Sequence, residues 1–323
     1  MRNSPGEFFG PLISALWLRP ESALWYAHML HAAAKFGVAQ LNPPNLEFGC
    51  MDGLNTFTLF GGVMAPDFDV FDEVSWSRNS HKGASLKYDY YNISSGTPRI
   101  SSIIHPAKNF FTHGLDWKQS HLDKATRYGV YKHLYNWAPG TPLAPYATHS
   151  INSIWAPNLY WVNDLDGLLA EFKRVLCTNG TLYTIAPDLN VLDTLIYRFH
   201  QIAPSNWIAD LDRGRHENAT AHAKTLLQWE SKFSNARFSL SRHDKFIPDS
   251  VGRMYEIGLR PMFSVFMNMY EKLARQNPAA LHELKKSWVE TVTFLIAPFL
   301  DLESGLGHKT NYLWHIFELS PVP

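Results

Sequence analysis

The 323 residues suffice for one large domain or one domain with a substantial elaboration. Hydrophobic residues make up 46% and charged residues 18%, the composition of a soluble globular protein with a sizeable core. The 29 basic and 29 acidic residues cancel, which argues against a nucleic-acid or anionic-membrane partner.

The N-terminus, "MRNSPGEFFGPLISALWLRP", has one early Arg and an apolar patch interrupted by Pro11 and Ser14. It lacks the form of a signal peptide, and no apolar run in the chain reaches 18 residues, so a cytoplasmic protein without membrane insertion is expected. Pro20 can start a helix that Gly37 closes. "NLEFG" (45–49) reads as a short buried strand, and "NTFTLF" (55–60) as a brief helix ended by Gly61-Gly62. Residues 61–107 form an irregular insertion. "KNFFTHGLDW" (108–117) is a strand ending at Asp116, "KQSHLDKATRYG" a helix stopped by Gly129, and "VYKHLYNW" (130–137) another strand. "HSINSIWAPNLYWV" (149–162) is a strand with a break at Pro157.

The clearest helix follows. Leu165, Leu168, Leu169, Phe172, Val175 and Leu176 recur at spacings of three and four, Asn163 or Asp164 can cap the start, and Asn179-Gly180 can end it. "TLYTIAPD" (181–188) is the next strand. Helices are predicted over 189–200, 218–233, 262–276 and 278–296, with two late strands at 236–246 and 311–320. Alternating strands and helices imply right-handed parallel crossovers. The expected architecture is a Rossmann-like, doubly wound, mostly parallel α/β sheet of about seven strands, with helical insertions capping the substrate side. The chain divides into an N-terminal helical segment (1–40), a binding core (41–188) and the remaining strands with cap helices (189–323).

The turn "NLEFGCMDG" lies where open parallel sheets bind ligands, beyond the carboxyl end of the first strand. It lacks the Gly-Lys-Ser/Thr ending of a phosphate-binding Walker loop. A dinucleotide site would need glycine where Met51 stands, although Asp69 falls at the right distance for its ribose acid. A nucleoside without phosphates is the third reading. Glu47 beneath the turn suits a cationic ligand, and Asp116 at the next strand tip would grip two ribose hydroxyls.

"LEFGCMDG" resembles the first motif of class I S-adenosylmethionine-dependent methyltransferases, "GLDWKQSHLDKA" their second strand and helix, and "SINSIWAPNLYWVNDLDGLLAEFKRVLCTNGTLYTIAPD" the run that follows in the type 11 branch. The resemblance covers residues 45–60 and 108–188 and implies S-adenosylmethionine as cofactor. It places Glu47, Gly49, Cys50 and Gly53 around the methionine half, Asp116 on the ribose, Trp117 beside the adenine, and Ala156 and Pro157 along the transferring methyl. Asn136, a backbone carbonyl or a water stands in for the family's adenine-binding acid, which is missing near Ala138. The acid usual at the start of the fourth strand is Asn152 here, and the usual Gly-Gly after the helix is Asn179-Gly180.

Within "LDRGRHEN" (211–218), read as a polar loop over the methyl end, His216 is the candidate general base; salt bridges tying the loop down are the bland alternative. Tyr160, with Trp161, would wall the acceptor pocket or simply pack in the core. No HExxH or comparable spacing suggests a metal. The reading is methyl transfer to oxygen or nitrogen of a small, partly apolar acceptor. The alternative is a cofactor-binding interaction or regulatory protein that no longer transfers methyl.

Overall fold

The computed structural model describes residues 3–70, 102–202, 206–305 and 311–322. Seven strands form one sheet: β1 (Asn45–Phe48), β2 (Phe111–Asp116), β3 (Tyr131–Asn136), β4 (Ile151–Ala156), β5 (Leu176–Pro187), β6 (Phe238–Pro248) and β7 (Tyr312–Pro321). Their order is β3-β2-β1-β4-β5-β7-β6. The first five are mutually parallel, and β7 runs antiparallel to both β5 and β6. This is the expected Rossmann-like architecture, with a late antiparallel hairpin-like edge. The order reverses between β1 and β4, which makes the carboxyl ends of those strands the switch point where such sheets hold ligands.

The helices are α1 (Pro5–Ala15), α2 (Pro20–Lys35), α3 (Leu54–Leu59), α4 (Gln119–Ala125), α5 (Leu165–Val175), α6 (Tyr197–Ile202), α7 (Asn206–His222), α8 (Leu226–Asn235), α9 (Asp249–Arg253), α10 (Phe263–Gln276) and α11 (Pro278–Gly305). One core cluster joins α1, α2 and α3 to sheet residues such as Phe111, Trp155, Ile185 and Ile316. A second joins α5 and α8 to Leu46, Phe48, Ile154 and Phe317. Ile154 and Trp155, adjacent on β4, belong to different clusters, as the two-residue alternation of a strand covered on both faces requires.

Several local expectations need correction. Within the expected N-terminal helical segment, a helix α1 precedes the one that starts at Pro20: Ser4 accepts a hydrogen bond from Glu7 N, and Pro5 occupies the first turn. Helix α5 starts with an Asp164 cap, but it does not run to Asn179-Gly180. His149 N and Ser150 N take the carbonyls of Arg174 and Val175, so the backbone entering β4 draws the chain into β5 at Leu176. Asn179 and Gly180 fall within β5, where the pairing jumps from Ile151–Leu176 to Ser153–Thr181. The helix expected over 218–233 is two helices, divided where Lys224 N donates to Pro187 O and Thr225 begins a capping box with Gln228. Of the 61–107 insertion, Val63–Met64 and Ile103–His105 pair antiparallel, while residues 71–101 lie outside the described residues. Asp69 accepts from the Trp17 indole at 2.6 Å and so braces α1. Among the described residues, no helix is long and apolar enough to cross a membrane.

Trp229 anchors α8: its side chain is 1% exposed and its indole N–H donates to Pro187 O at 3.0 Å. Trp229→Ala should lower the unfolding free energy by about 3–5 kcal/mol, read from the urea midpoint at constant m. Burial drives the His28 pKa from 6.5 down to about 3. A folded-state pKa below the unfolded one means that the unfolded chain binds more protons. The His28 contribution should therefore be lost as pH falls from about 6.5 toward 3. Urea titrations at pH 7 and pH 5 should show this loss, reduced in His28→Leu.

Candidate functional site

The turn after β1 keeps the backbone form that its glycines suggest. Gly49 (φ 74°) and Gly53 (φ 83°) are left-handed, and Met51 between them is also left-handed at φ 51°. Gly49 N and Cys50 N both donate to Leu115 O, which fastens the turn to the neighbouring strand. The space that the glycines leave is filled by protein. A Cβ on Gly49 would stand 3.0 Å from Asn158 Nδ2, and one on Gly53 3.2 Å from the Ala125 backbone.

Asp116 is fully buried. Its Oδ2 accepts from Met51 N at 3.0 Å; its Oδ1 accepts from Lys118 N at 2.9 Å and contacts His121 Nδ1 at 3.1 Å. A carboxylate oxygen only accepts, so His121 Nδ1 carries the hydrogen in that contact. Asp116 does not line the cavity beyond the strand ends. In this conformation the carboxylate holds the turn, the strand end and α4 together.

Glu47 is buried as well, and its Oε2 accepts from Thr56 Oγ1 at 2.5 Å and from the Tyr131 hydroxyl at 2.8 Å. Gly114 on the intervening strand permits this reach, because a Cβ there would stand 2.6 Å from the Tyr131 ring. Burial pushes the Glu47 carboxyl up to about 8, with the two hydroxyl donors and the Asp116 charge as lesser influences. The same burial disfavours the anionic form of Glu47 beneath the turn. Cys50 is also buried, and its thiol is pushed up by the same desolvation.

A cavity of about 410 Å³ opens beyond the carboxyl ends of the central strands. Met51 (after β1), Trp117 and Lys118 (after β2), Asn158 (after β4) and Pro187 (the end of β5) line it. Its volume lies in the range of pockets that enclose small molecules, about 300–1,000 Å³. Of the expected site residues, Trp117 and Tyr160 line it. Glu47, Gly49, Cys50 and Pro157 instead border a gap of about 10 Å³ under the turn. Ala156 is buried, with its carbonyl taken by Thr184 Oγ1. Asn136 is exposed and donates to Trp117 O at 3.4 Å.

The "LDRGRHEN" segment is helix α7 rather than a loop. Its polar residues find partners that no local pattern reveals: Arg215 pairs with Glu256 at 2.6 Å, and Asp212 holds Arg260 and Tyr197 N. Arg215, Asn218 and Ala219 face the cavity. His216 does not line it; the imidazole stacks on Tyr197 with ring centroids 4.6 Å apart. Tyr160 packs edge-on against Trp314 at 4.8 Å, and its carbonyl accepts from Asn218. Sequence reasoning missed Asn158, whose amide donates to Gly49 O at 2.9 Å and ties the β4 end to the turn. Its signal was a side-chain amide immediately after the Ala156-Pro157 strand end. It also missed Arg19, Arg260 and His121, which only the tertiary structure brings to this cavity. Among the described residues, no group of three or more His, Cys, Asp or Glu side chains could hold a metal ion.

The strand order and the antiparallel seventh strand define a Rossmann-like, mostly parallel seven-stranded α/β fold. No protein-family model matches the sequence, and a search of curated proteins found no match. Similar solved structures include the [4+2]-cyclase SpnF, with 13% identity over 91% of this chain and 81% of that one, at a TM-score of 0.45. A methyltransferase from Geobacter sulfurreducens in complex with S-adenosylhomocysteine is 16% identical over 89% of each chain, at 0.42. Geranyl diphosphate C-methyltransferase from Streptomyces coelicolor is 11% identical over 94% of this chain and 84% of that one, at 0.40.

Glu47 has a folded-state pKa above its unfolded value of 4.5, so the stability it contributes is complete below pH 4.5 and is lost as pH rises through about 8. The wild type should lose up to about 1.4 kcal/mol per pH unit from this group across that window. Glu47→Gln should remove the loss, which a comparison of urea midpoints at pH 5.5 and 7.5 would register. Equal pH slopes in the two proteins would sink the assignment.

Proposed function

We propose that this chain is an S-adenosylmethionine-dependent methyltransferase acting on oxygen or nitrogen of a small molecule. The observation that carries the reading is the cavity at the β1/β4 switch point, lined by Met51 of the left-handed turn and flanked by Trp117. Its size and its aromatic surface suit a nucleoside. The residues placed to hold one are Met51, Trp117, Lys118, His121 and Asn158. Ribose contacts fall to Lys118, His121 and Asn158, since the Asp116 oxygens are engaged with the turn and α4.

When bound, the cofactor supplies an electrophilic methyl group on a sulfonium. This chain's part is to align the acceptor and exclude water, which can be worth about 7–11 kcal/mol in oriented reactions. Tyr160, Trp161 and Trp314 provide the apolar wall for that alignment. His216 is not placed to take an acceptor proton, because it faces Tyr197. Methyl transfer here therefore suits an acceptor that arrives as a free lone pair, without the roughly 10²–10⁴-fold help of a general base.

Two observations support a second reading, a cofactor-binding protein without methyl transfer. The Asp116 carboxylate is closed off from the cavity, and the adenine-binding acid that the resemblance calls for near Ala138 is missing.

Calorimetry with S-adenosylhomocysteine should give micromolar binding to the wild type. Trp117→Ala should weaken it at least tenfold and Met51→Gly should tighten it, with NAD as a non-binding control. A folded wild type that ignores S-adenosylhomocysteine, or prefers NAD, would defeat both readings. Binding without transfer of labelled methyl to any component of a metabolite extract would favour the second.

A further inference from the structure

Three guanidiniums, from Arg19, Arg215 and Arg260, stand on the wall of this cavity. Arg19 lies just before α2, Arg215 on α7, and Arg260 just after the turn of π-helix Met254–Leu259. Each is held by a carboxylate that lies behind it. Glu21 Oε1 is 2.7 Å from Arg19 Nε, Glu256 bridges Arg215 and Arg260 at 2.6 and 3.3 Å, and Asp212 holds Arg260. Those three acids are buried and do not line the cavity, whereas all three arginines do. The wall therefore presents cationic groups, although the network behind it is charge-balanced.

A network of this kind is a poor device for stability alone. Well-packed apolar residues of similar volume usually hold helices together as well as buried ion pairs do, or better. What the pairs provide is guanidiniums locked in position, and a guanidinium fork matches a carboxylate. Arg215 Nη1 donates to the Tyr255 hydroxyl and Nη2 reaches Glu256, while its buried Nε has no hydrogen-bond partner among the described residues. Burial and the neighbouring Arg19 also press Arg260 down to about 10, the direction expected where cations crowd one another. Around this patch the cavity is aromatic: Trp25, Trp161, Tyr255 and Trp314 line it, and Arg215 stacks over Tyr255 at 4.7 Å.

We propose that the arginine wall binds the anionic group of the methyl acceptor, and that the acceptor is a flat aromatic carboxylate. The acceptor role rests on the methyltransferase reading above; the anion site does not. One negative charge fits better than the two of a phosphate monoester, because three buried acids already offset the three arginines and Lys118 alone adds to the wall.

The test is calorimetry on the full chain with 2-naphthoate and its neutral amide, 2-naphthamide, with and without S-adenosylhomocysteine. The acid should bind at least tenfold more tightly than the amide. Arg215→Met combined with Glu256→Gln removes both charges, so neither is left buried alone; it should bring the acid within about threefold of the amide. Arg215→Lys keeps the charge but loses the fork and should fall between. Both variants should bind S-adenosylhomocysteine within about twofold of wild type. The proposal is overturned if the folded wild type binds acid and amide alike or binds neither, or if 2-naphthyl phosphate binds more tightly than the acid. It is also overturned if the double variant loses S-adenosylhomocysteine but keeps its preference for the acid, since the arginines would then serve the cofactor's own carboxylate. An acid preference in a wild type that binds no S-adenosylhomocysteine would support the anion site and overturn the acceptor role together with the methyltransferase reading.

Discussion

The site depends on one buried carboxylate. Asp116 gathers the Met51 and Lys118 backbone N–H groups and the His121 ring, and so connects the first glycine turn, the end of the second strand and the helix that follows. A carboxylate removed from water is tolerated only when its oxygens are fully engaged, and charge-assisted bonds to backbone N–H groups are among the stronger ones a protein makes. The same bonds hold Met51 in a left-handed conformation that a side chain ordinarily avoids. The turn is therefore built from inside the protein rather than left for a ligand to organise.

Glu47 tells a parallel story one strand away. A glycine at 114 lets Tyr131 reach across the sheet, and with Thr56 it encloses an acid that burial pushes up to about 8. The two acids that look ligand-facing in the sequence are both structural in this conformation. The groups that line the cavity lie just beyond the strand ends: the Trp117 indole, Lys118, Asn158 and the aromatic wall.

The other half of the cavity comes from segments far apart in the chain. Arg19 belongs to the N-terminal helices, Arg215 to α7, and Arg260 to the segment after the π-turn; buried acids on those same elements fix them. The ion pairs tie α7 to the segment around the π-turn, while Arg19 pairs within the N-terminal segment with Glu21. One consequence is that the chemistry of this wall is set by ion-pair geometry, in which lysine is a poor substitute for arginine.

The sequence alone determined the parallel sheet, its approximate strand positions, helix α5 and the glycine turn, because these rest on local periodicity, caps and turn chemistry. The helical character of the N-terminal segment was legible too, with the start of α1 marked by Ser4, Pro5 and Glu7. The end of α5 at Val175, the break at Lys224 and the helical state of 211–218 were not legible, since distant backbone carbonyls and buried acids decide them. So too for the site: a motif names residues in order but does not say which way a carboxylate faces. Only the tertiary structure turned Asp116 and Glu47 inward and brought Arg19, Arg215 and Arg260 to one wall, because burial and partner choice are properties of the packed chain.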